Sequence, residues 1–161
     1  MLAACRLTFL LLVSVFLFVD SSGQAPAPAD PKSEILAFNE KFINAHLRMD
    51  NPAIIAMWAE DGVSLLPSMA PMVGRAAIGK FITDISAQMP GYKIVREKID
   101  FRDIRVSGDW ASEWGLEIQG LQPPGNQPTM EGYGKILFVL HKDAKGEWKI
   151  QQEMWNTNPK P

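Results

Sequence analysis

The sequence predicts an α+β fold in which three helices come first and a strongly bent, mainly antiparallel sheet follows. Apolar residues recur at the helical period of 3.6 residues, most clearly over residues 75–89. Four longer stretches rich in β-branched and aromatic residues come next, separated by turn-forming segments. Helices followed by a strand meander typically pack on one face of an antiparallel sheet. A length of 161 residues fits a single core.

The N-terminus resembles a secretory signal peptide. Arg6 precedes an apolar run of 13 residues, 7–19, and small or polar residues follow as far as Ala25. This run is too short for an ordinary spanning helix, which needs about 20 residues. We therefore expect a signal peptide at residues 1–23, export to the periplasm or the medium, and no membrane attachment after cleavage. The single cysteine, Cys5, lies inside the signal, so we expect no disulfide or thiol chemistry afterwards.

A proline- and alanine-rich linker, residues 24–32, is expected to lead into one domain over residues 33–158. Ser33 is the expected N-cap of the first helix, and Asn51 that of a short second helix, Pro52 to about Ala59. In this interpretation Glu60 and Asp61 finish the second helix and turn the chain at Gly62. The third helix is expected at residues 75–89 and the strands at 63–66, 92–106, 110–121, 129–142 and 148–155.

Charge and composition argue against several classes of partner. The formal net charge is −2 and the sequence pI about 5.7, so no general attraction to nucleic acid is expected. Acidic residues, Glu97 among them, interrupt the densest basic stretch, residues 93–105, which is typical of a solvated strand face. The two histidines, His46 and His141, lack the spacing of a metal site. We expect neither metal nor cofactor.

Four local signatures in order carry a family resemblance. They are W-A-E-D-G-V at residues 58–63, V-G-R-A-A-I-G-K-F at 73–81, S-G-D-W-A at 107–111, and G-E-W-K-I-Q-Q-E-M-W-N at 146–156. Together they resemble the SnoaL-like, ketosteroid-isomerase-like branch of the nuclear-transport-factor-2-like superfamily over residues 33–158. The resemblance implies a cone whose bent sheet wraps the helices around a mostly apolar pocket. It also implies a homodimer formed through the outer sheet face. The fold itself fixes no activity.

The positions that carry isomerase chemistry in the resembling family are apolar here. The family's catalytic carboxylate precedes a proline in the first strand, and the matching residue before Pro67 is Leu66. The family's oxyanion tyrosine matches Phe42, which lacks the hydroxyl group. The resemblance therefore argues against steroid isomerisation.

Other residues remain weak catalytic candidates: His46 on the apolar stripe of the first helix, and the strand carboxylates Glu113 and Glu153. Glu113 shares a strand face with Glu117 and Gln119, but alternation alone does not say which face lines the pocket, since one bulge reverses it. The expected ligand pocket consists of Phe42, His46, Trp58, Leu66, Trp114, Tyr133 and Trp155.

Three functions are compatible with this sequence. The first is an exported domain that binds a small apolar or mixed-polarity molecule without established catalysis. The second is an isomerase- or dehydratase-type enzyme that uses His46 or a strand carboxylate on a small apolar or cyclic substrate. The third is a dimerisation or assembly module. In each of them a homodimer is expected, with no nucleic acid as partner.

Overall fold

The computed structural model describes residues 30–125 and 127–161. The predicted signal peptide and residues 24–29 of the predicted linker lie outside these residues. None of the helices described is long and apolar enough to cross a membrane. The elements are α1 (Pro31–Leu47), α2 (Asn51–Ala56), β1 (Trp58–Leu65), β2 (Met72–Val73), α3 (Arg75–Ala87), β3 (Lys93–Ser107), β4 (Trp110–Gln122), β5 (Met130–Lys142) and β6 (Trp148–Thr157).

The six strands form one curved, open sheet in the order β2-β1-β6-β5-β4-β3. All neighbours are antiparallel except β1 and β6, which run parallel. Helices α1, α2 and α3 precede the long strands, and α1 packs on the concave face of the sheet. The predicted α+β class, with N-terminal helices held by a bent, mainly antiparallel sheet, is confirmed.

The N-cap of α1 lies three residues before the predicted one, and that of α2 lies one residue before it. Asp30 caps α1 by accepting a hydrogen bond from the backbone N–H of Lys32, while the hydroxyl of Ser33 donates to the Asp30 carbonyl. Asp50 caps α2 in the same way through the N–H of Ala53. A short carboxylate at each helix start accepts the free N–H groups, so Ser33 and Asn51 are not the caps.

The acidic pair predicted to end the second helix lies in a strand instead. Helix α2 ends at Ala56 and β1 begins at Trp58, several residues before the predicted start. Glu60 forms an ion pair with Arg75 at 2.9 Å, and the Asp61 carboxylate accepts a hydrogen bond from Gln151. The pair thus ties β1 to α3 and to β6.

Strand β6 contains a bulge that decides which of its side chains face the helices. Ile150 lies opposite Leu140 and Gln152 opposite Val139, so Gln151 is one residue more than the partner strand supplies. Trp148 and Ile150 are buried in the core ahead of the bulge. The extra residue reverses the alternation, and beyond it the odd-numbered residues face inward.

The core fills the space between α1 and the concave face. Ile35, Phe38 and Phe42 of α1 pack against the fully buried Phe138 and Leu140 of the sheet. The rings of Phe42 and Phe138 meet edge to face, with centroids 5.1 Å apart. This geometry suits aromatic quadrupoles and fixes the height of α1 above the sheet.

Glycine permits the closest approach between β3 and β4. A Cβ atom at Gly115 would lie 2.7 Å from Cγ2 of Ile99 and 3.2 Å from the carbonyl oxygen of Asp100. Gly132, in β5, has no such neighbour, since the nearest atom to a Cβ there is the Gln119 carbonyl oxygen at 4.0 Å. Both are strand glycines, but only Gly115 is required by packing.

We expect Gly115→Ala to lower the free energy of unfolding by about 1–3 kcal/mol, because the added methyl group overpacks the contact with Ile99. The matched variant Gly132→Ala should be neutral or slightly stabilising, since it only restricts the unfolded chain. Urea denaturation of both variants measures this. Equal stability of the two would contradict the packing requirement.

Candidate functional site

The concave face carries a group of titratable side chains beside the apolar core. We call Glu97, Glu117, Glu153 and His46 the carboxyl cluster. They come from β3, β4, β6 and α1 respectively. The charge of Glu117 acts on each of the other three, which places it among them.

Glu97 is the most deeply buried carboxyl of this cluster, with 8% of its surface exposed. Its Oε2 accepts a hydrogen bond of 2.9 Å from Gln119 Nε2. Its Oε1 is buried and has no donor among the described residues. Burial raises the pKa of Glu97 to about 8, and the charge of Glu117 and a hydrogen bond to it add to the effect. At neutral pH, Glu97 therefore holds a proton.

Glu117 is held by an indole. Nε1 of Trp155 donates a hydrogen bond of 2.5 Å to Oε2 of Glu117. Both groups lie over Gly134, where a Cβ atom would come within 2.6 Å of that carboxylate oxygen. The absence of a side chain at Gly134 thus makes room for the pair. The indole, held by the sheet, fixes the position of the Glu117 carboxyl group.

Glu153 follows the β6 bulge and faces the same space. Its Oε2 accepts a hydrogen bond of 2.9 Å from the hydroxyl of Ser64, a buried residue of β1. Burial raises the pKa of Glu153 to about 7; Glu117 adds to this, and the bond from Ser64 opposes it. The side chain is half-buried, so part of its surface remains in contact with solvent. Such a carboxyl exchanges its proton near neutral pH.

His46 completes the cluster from the helix side. Its Nδ1 lies 2.9 Å from the carbonyl oxygen of Phe42, one turn earlier, and the two rings are 4.1 Å apart. Because a carbonyl only accepts, Nδ1 carries the proton, and Nε2 of the neutral ring is an acceptor. Burial lowers the pKa of His46, while the Phe42 carbonyl and the charge of Glu117 oppose this. The neutral imidazole is the favoured form.

Glu113 belongs to a separate pair in the core. Its Oε2 accepts a hydrogen bond of 2.8 Å from Nδ2 of Asn39 on α1. Glu113 Oε1 and Asn39 Oδ1 are both buried without a partner among the described residues. Burial raises the pKa of Glu113 to about 7, against the bond from Asn39. A proton on Oε1 would satisfy both orphaned oxygens by closing an acid–amide pair.

Two of the residues predicted to line the pocket lie on the other side of the sheet. Trp114 alternates with the buried Glu113 and Gly115, and it is 39% exposed on the convex face. Tyr133 also faces outward, where its hydroxyl donates to Glu131. This part of the expected pocket is corrected, because strand alternation gives the concave face to the odd residues of β4 and the even residues of β5.

The remaining predicted residues lie on the helix side. Phe42 and Trp58 are core residues, with 4% and 3% of their surface exposed. Leu66 directly follows β1 and is half-buried, and Trp155 and His46 belong to the carboxyl cluster or contact it. The structure thus brings His46, Glu153 and Trp155 together and sets Glu113 apart.

Two members of the cluster were not predicted as site residues. Glu97 was assigned to a solvated face because charges alternate around it, yet burial of Ile99 marks that side of β3 as the inner one. Glu117 lies on the same strand face as Glu113, which was a catalytic candidate. This shared face was the one signal in the sequence that could have pointed to Glu117. The side chains of Ser64 and Gln119 carried no signal of their own.

The cluster is equipped for hydrogen bonding and proton exchange. Among residues 30–125 and 127–161, no three His, Cys, Asp or Glu side chains are arranged to hold a metal ion. Two carboxyls with pKa values raised to about 8 and about 7, the carboxyl of Glu117 and one neutral imidazole share a single concave surface. Titratable groups whose pKa values are shifted in this way are typical of functional sites.

A second concavity, of about 760 Å³, lies on the outside of α1, between α2 and the β5–β6 turn. Its charged lining includes Lys41, Arg48 and Lys149. Lys149 is paired with Glu147 and Asp143, and the other two are exposed. Solvated charges of this kind do not provide a desolvated reaction site. The concave face remains the candidate site.

Comparisons with known proteins agree on the fold. The sequence model described as a SnoaL-like domain matches residues 29–152. A ketosteroid isomerase-like protein from Erwinia carotovora atroseptica superposes with a TM-score of 0.66 at 21% identity, covering 80% of this chain and 96% of that one. ActVI-ORFA from Streptomyces coelicolor gives 0.68 at 17% identity, covering 79% and 96%.

An NTF2-like protein with a cystatin-like fold from Novosphingobium aromaticivorans is also similar, with a TM-score of 0.62 at 18% identity over 81% of this chain and 83% of that one. No curated protein sequence matches this chain significantly. At these identities the structural likeness establishes the fold and leaves the activity open.

We expect Glu113→Gln to stabilise the protein at pH 8 by about 1–3 kcal/mol and to change little at pH 5. The folded-state pKa of Glu113, about 7, lies above the ordinary 4.5, so the folded chain keeps a proton that the unfolded chain loses. Stability therefore falls as pH rises from about 4.5 to 7. Glutamine does not titrate, so this loss of stability disappears. Its amide can both accept a hydrogen bond from Asn39 and donate one to it.

Thermal unfolding at pH 5 and pH 8 measures the effect, with the exposed Glu147→Gln as control. A parallel pH dependence in wild type and Glu113→Gln would show that Glu113 does not titrate in this interval.

Proposed function

Because the chain belongs to the family of SnoaL-like domains, we propose that it binds a small organic molecule on the concave face of its sheet. The observation that carries this proposal is the carboxyl cluster. Four titratable side chains from four separate elements converge on one surface beside an aromatic core. Such a mixture of apolar wall and a few convergent polar groups is typical of small-molecule sites.

Burial of these groups costs folding free energy that no ion pair among residues 30–125 and 127–161 offsets. Within the same residues, one buried oxygen of Glu97 has no donor, and the hydrogen-bond partner of Glu153 is a serine. Buried carboxyls that serve structure are normally paired with cations or surrounded by donors. A ligand that supplies donors would account for the arrangement.

An acid–base enzyme is the second candidate, and the raised pKa values of Glu153 and Glu97 favour it. Glu153, with a pKa of about 7, would act as the base, and the protonated Glu97 as the acid on the same surface. This chemistry would not use the positions that match the family's isomerase residues, since Leu66 and Phe42 carry no titratable group. His46, held neutral, would orient the substrate.

Export is part of the same proposal. Residues 1–23 have the charge, the apolar run and the small-residue exit of a signal peptide, so the mature chain would start near the linker. In that compartment the protein would meet small molecules from outside the cytoplasm. Neither nucleic acid nor membrane is among the partners we propose.

A homodimer through the convex face is also proposed. Trp114, Leu137 and Met154 are 39%, 44% and 51% exposed and lie beside one another on adjacent strands. Arg102 lies 5.5 Å from the centroid of the Trp114 ring, at the edge of this apolar surface. An apolar centre with charged residues at its rim is typical of an interface between identical subunits.

We expect at least one compound of a chemically diverse fragment library to raise the melting temperature of the wild-type chain and to shift the NMR resonance of the Trp155 indole. Glu117→Gln should weaken that compound at least tenfold, because Glu117 anchors both Trp155 and the neighbouring carboxyls. The exposed Glu147→Gln is the matched control.

Each binding compound is then incubated in D2O and followed by NMR. Exchange or transformation that disappears in Glu153→Gln would support the enzyme, and binding without turnover would support the binding protein. A library in which nothing shifts the Trp155 resonance would contradict both and leave the assembly module as the remaining function.

Native mass spectrometry of the full-length gene product, expressed with its N-terminus intact, measures export and assembly together. We expect the exported fraction to contain a chain shortened by about 23 residues. The complex that this chain forms should have twice the mass of one subunit. Leu137→Glu should give the monomer by placing a charge on the apolar face, and the exposed Glu147→Gln should remain dimeric. An uncleaved chain, or a dimer unaffected by Leu137→Glu, would overturn the corresponding proposal.

A further inference from the structure

We propose that the ligand is an organic ammonium ion, a protonated amine attached to an apolar or aromatic body, whose nitrogen sits among Glu97, Glu117 and Glu153. This inference rests on the proposed binding function and names its ligand class. It follows from the charge of the cluster, from one orphaned oxygen, and from the rings around it.

The first argument is the missing counter-charge. In the described part of the chain no Lys or Arg forms an ion pair with any of the three carboxyls. The hydrogen-bond donors around them are uncharged, namely Ser64 on β1, Gln119 on β4 and Trp155 on β6, and His46 on α1 is neutral. An anionic ligand would be repelled, whereas a cation supplies what the site lacks.

The second argument is the buried Oε1 of Glu97, which has no donor among the described residues although 92% of the residue's surface is covered. Its neighbour Glu117 is itself a carboxyl and offers no N–H. In the free protein a proton shared between the two carboxyls removes the conflict. An ammonium group can take the place of that proton, because it carries one positive charge and three donors.

The third argument concerns the body of the ligand. The indole of Trp155 and the ring of Phe42 border the cluster, through Glu117 and His46 respectively. Aromatic faces attract cations and also bury the apolar part of an amine. A neutral alcohol of the same shape would use the same rings but would bring a single donor and no charge. The amine should therefore bind more tightly than the alcohol.

Uptake of the amine should release a proton at neutral pH. Glu97 is protonated in the free protein, and an ammonium ion beside it favours the carboxylate. Glu153 responds in the same direction, and Glu117 lies beside them with its hydrogen bond from the Trp155 indole. His46, which faces the three carboxyls, stays neutral. Strand β5 contributes the uncharged Gly134 and Ile136 to the same face.

The experiment compares 2-phenylethylamine with its isostere 2-phenylethanol by titration at pH 7, following the Trp155 indole resonance assigned through Trp155→Phe. We expect the amine to bind at least tenfold more tightly. Glu97→Gln and Glu153→Gln should each remove most of that advantage, because they weaken the charged amine far more than the neutral alcohol. Glu113→Gln, a buried carboxyl outside the cluster, is the matched control and should keep the full preference.

Two variants at different depths keep the test valid if Glu97→Gln folds poorly, since Glu153 is half-buried and its replacement is milder. If the alcohol shifts the Trp155 resonance as strongly as the amine, the ammonium class is wrong while the binding site stands. If the amine preference persists in both variants, the amine binds at exposed acids and the inference is overturned. If neither probe nor any library compound shifts the resonance, both the ammonium ligand and the proposed binding function are contradicted.

Discussion

The single extra residue in β6 decides what the inside of this protein contains. With Gln151 inserted, the strand turns Trp148 and Ile150 into the core and then turns Glu153 and Trp155 to the same side. Without the insertion, strict alternation would send the last two to the outer face. The parallel neighbour β1 is irregular at the same level, between Trp58 and Val63, and Asp61 of that segment binds Gln151. The irregularities of the two strands therefore support each other.

Glu117 depends on this arrangement. The indole brought in by the bulge is its recorded donor, and the bare backbone at Gly134 gives the pair its space. The held carboxylate in turn raises the proton affinity of Glu97 and Glu153. The acidic interior is thus one connected arrangement, in which a change at the bulge would alter three side chains on three strands. Such coupling is expected where titratable groups lie within a few ångströms of one another in a poorly hydrated space.

The sequence was sufficient for the fold and insufficient for the site, and the reasons are physical. Helical periodicity in residues 75–89 and the long β-branched stretches persist over many residues, so errors of one or two positions at their ends leave the class unchanged. The caps were misplaced because Asp30 stands three residues before Ser33 and Asp50 one residue before Asn51, and Asp, Ser and Asn are all good caps.

Which side chains line the site depends on the alternation of inward and outward residues along each strand. One inserted residue reverses that alternation. Trp114 and Tyr133 were predicted to line the pocket, but alternation in β4 and β5 puts them outside. Glu97 looked solvated because its neighbours in sequence are charged, although its neighbours in space are Ile99 and Glu117. Burial of a carboxyl is a property of the tertiary structure, and no local pattern records it.

The sheet order has a consequence for how the chain is assembled. Strand β6 follows the other five strands along the chain, yet it lies between β1 and β5, and among the described strands it is the only link between β1–β2 and the long hairpins. Until β6 docks, the two parts of the sheet have no backbone hydrogen bonds to each other. A partly folded chain therefore holds two open strand edges, and the sheet is completed only when this one strand pairs with both of them.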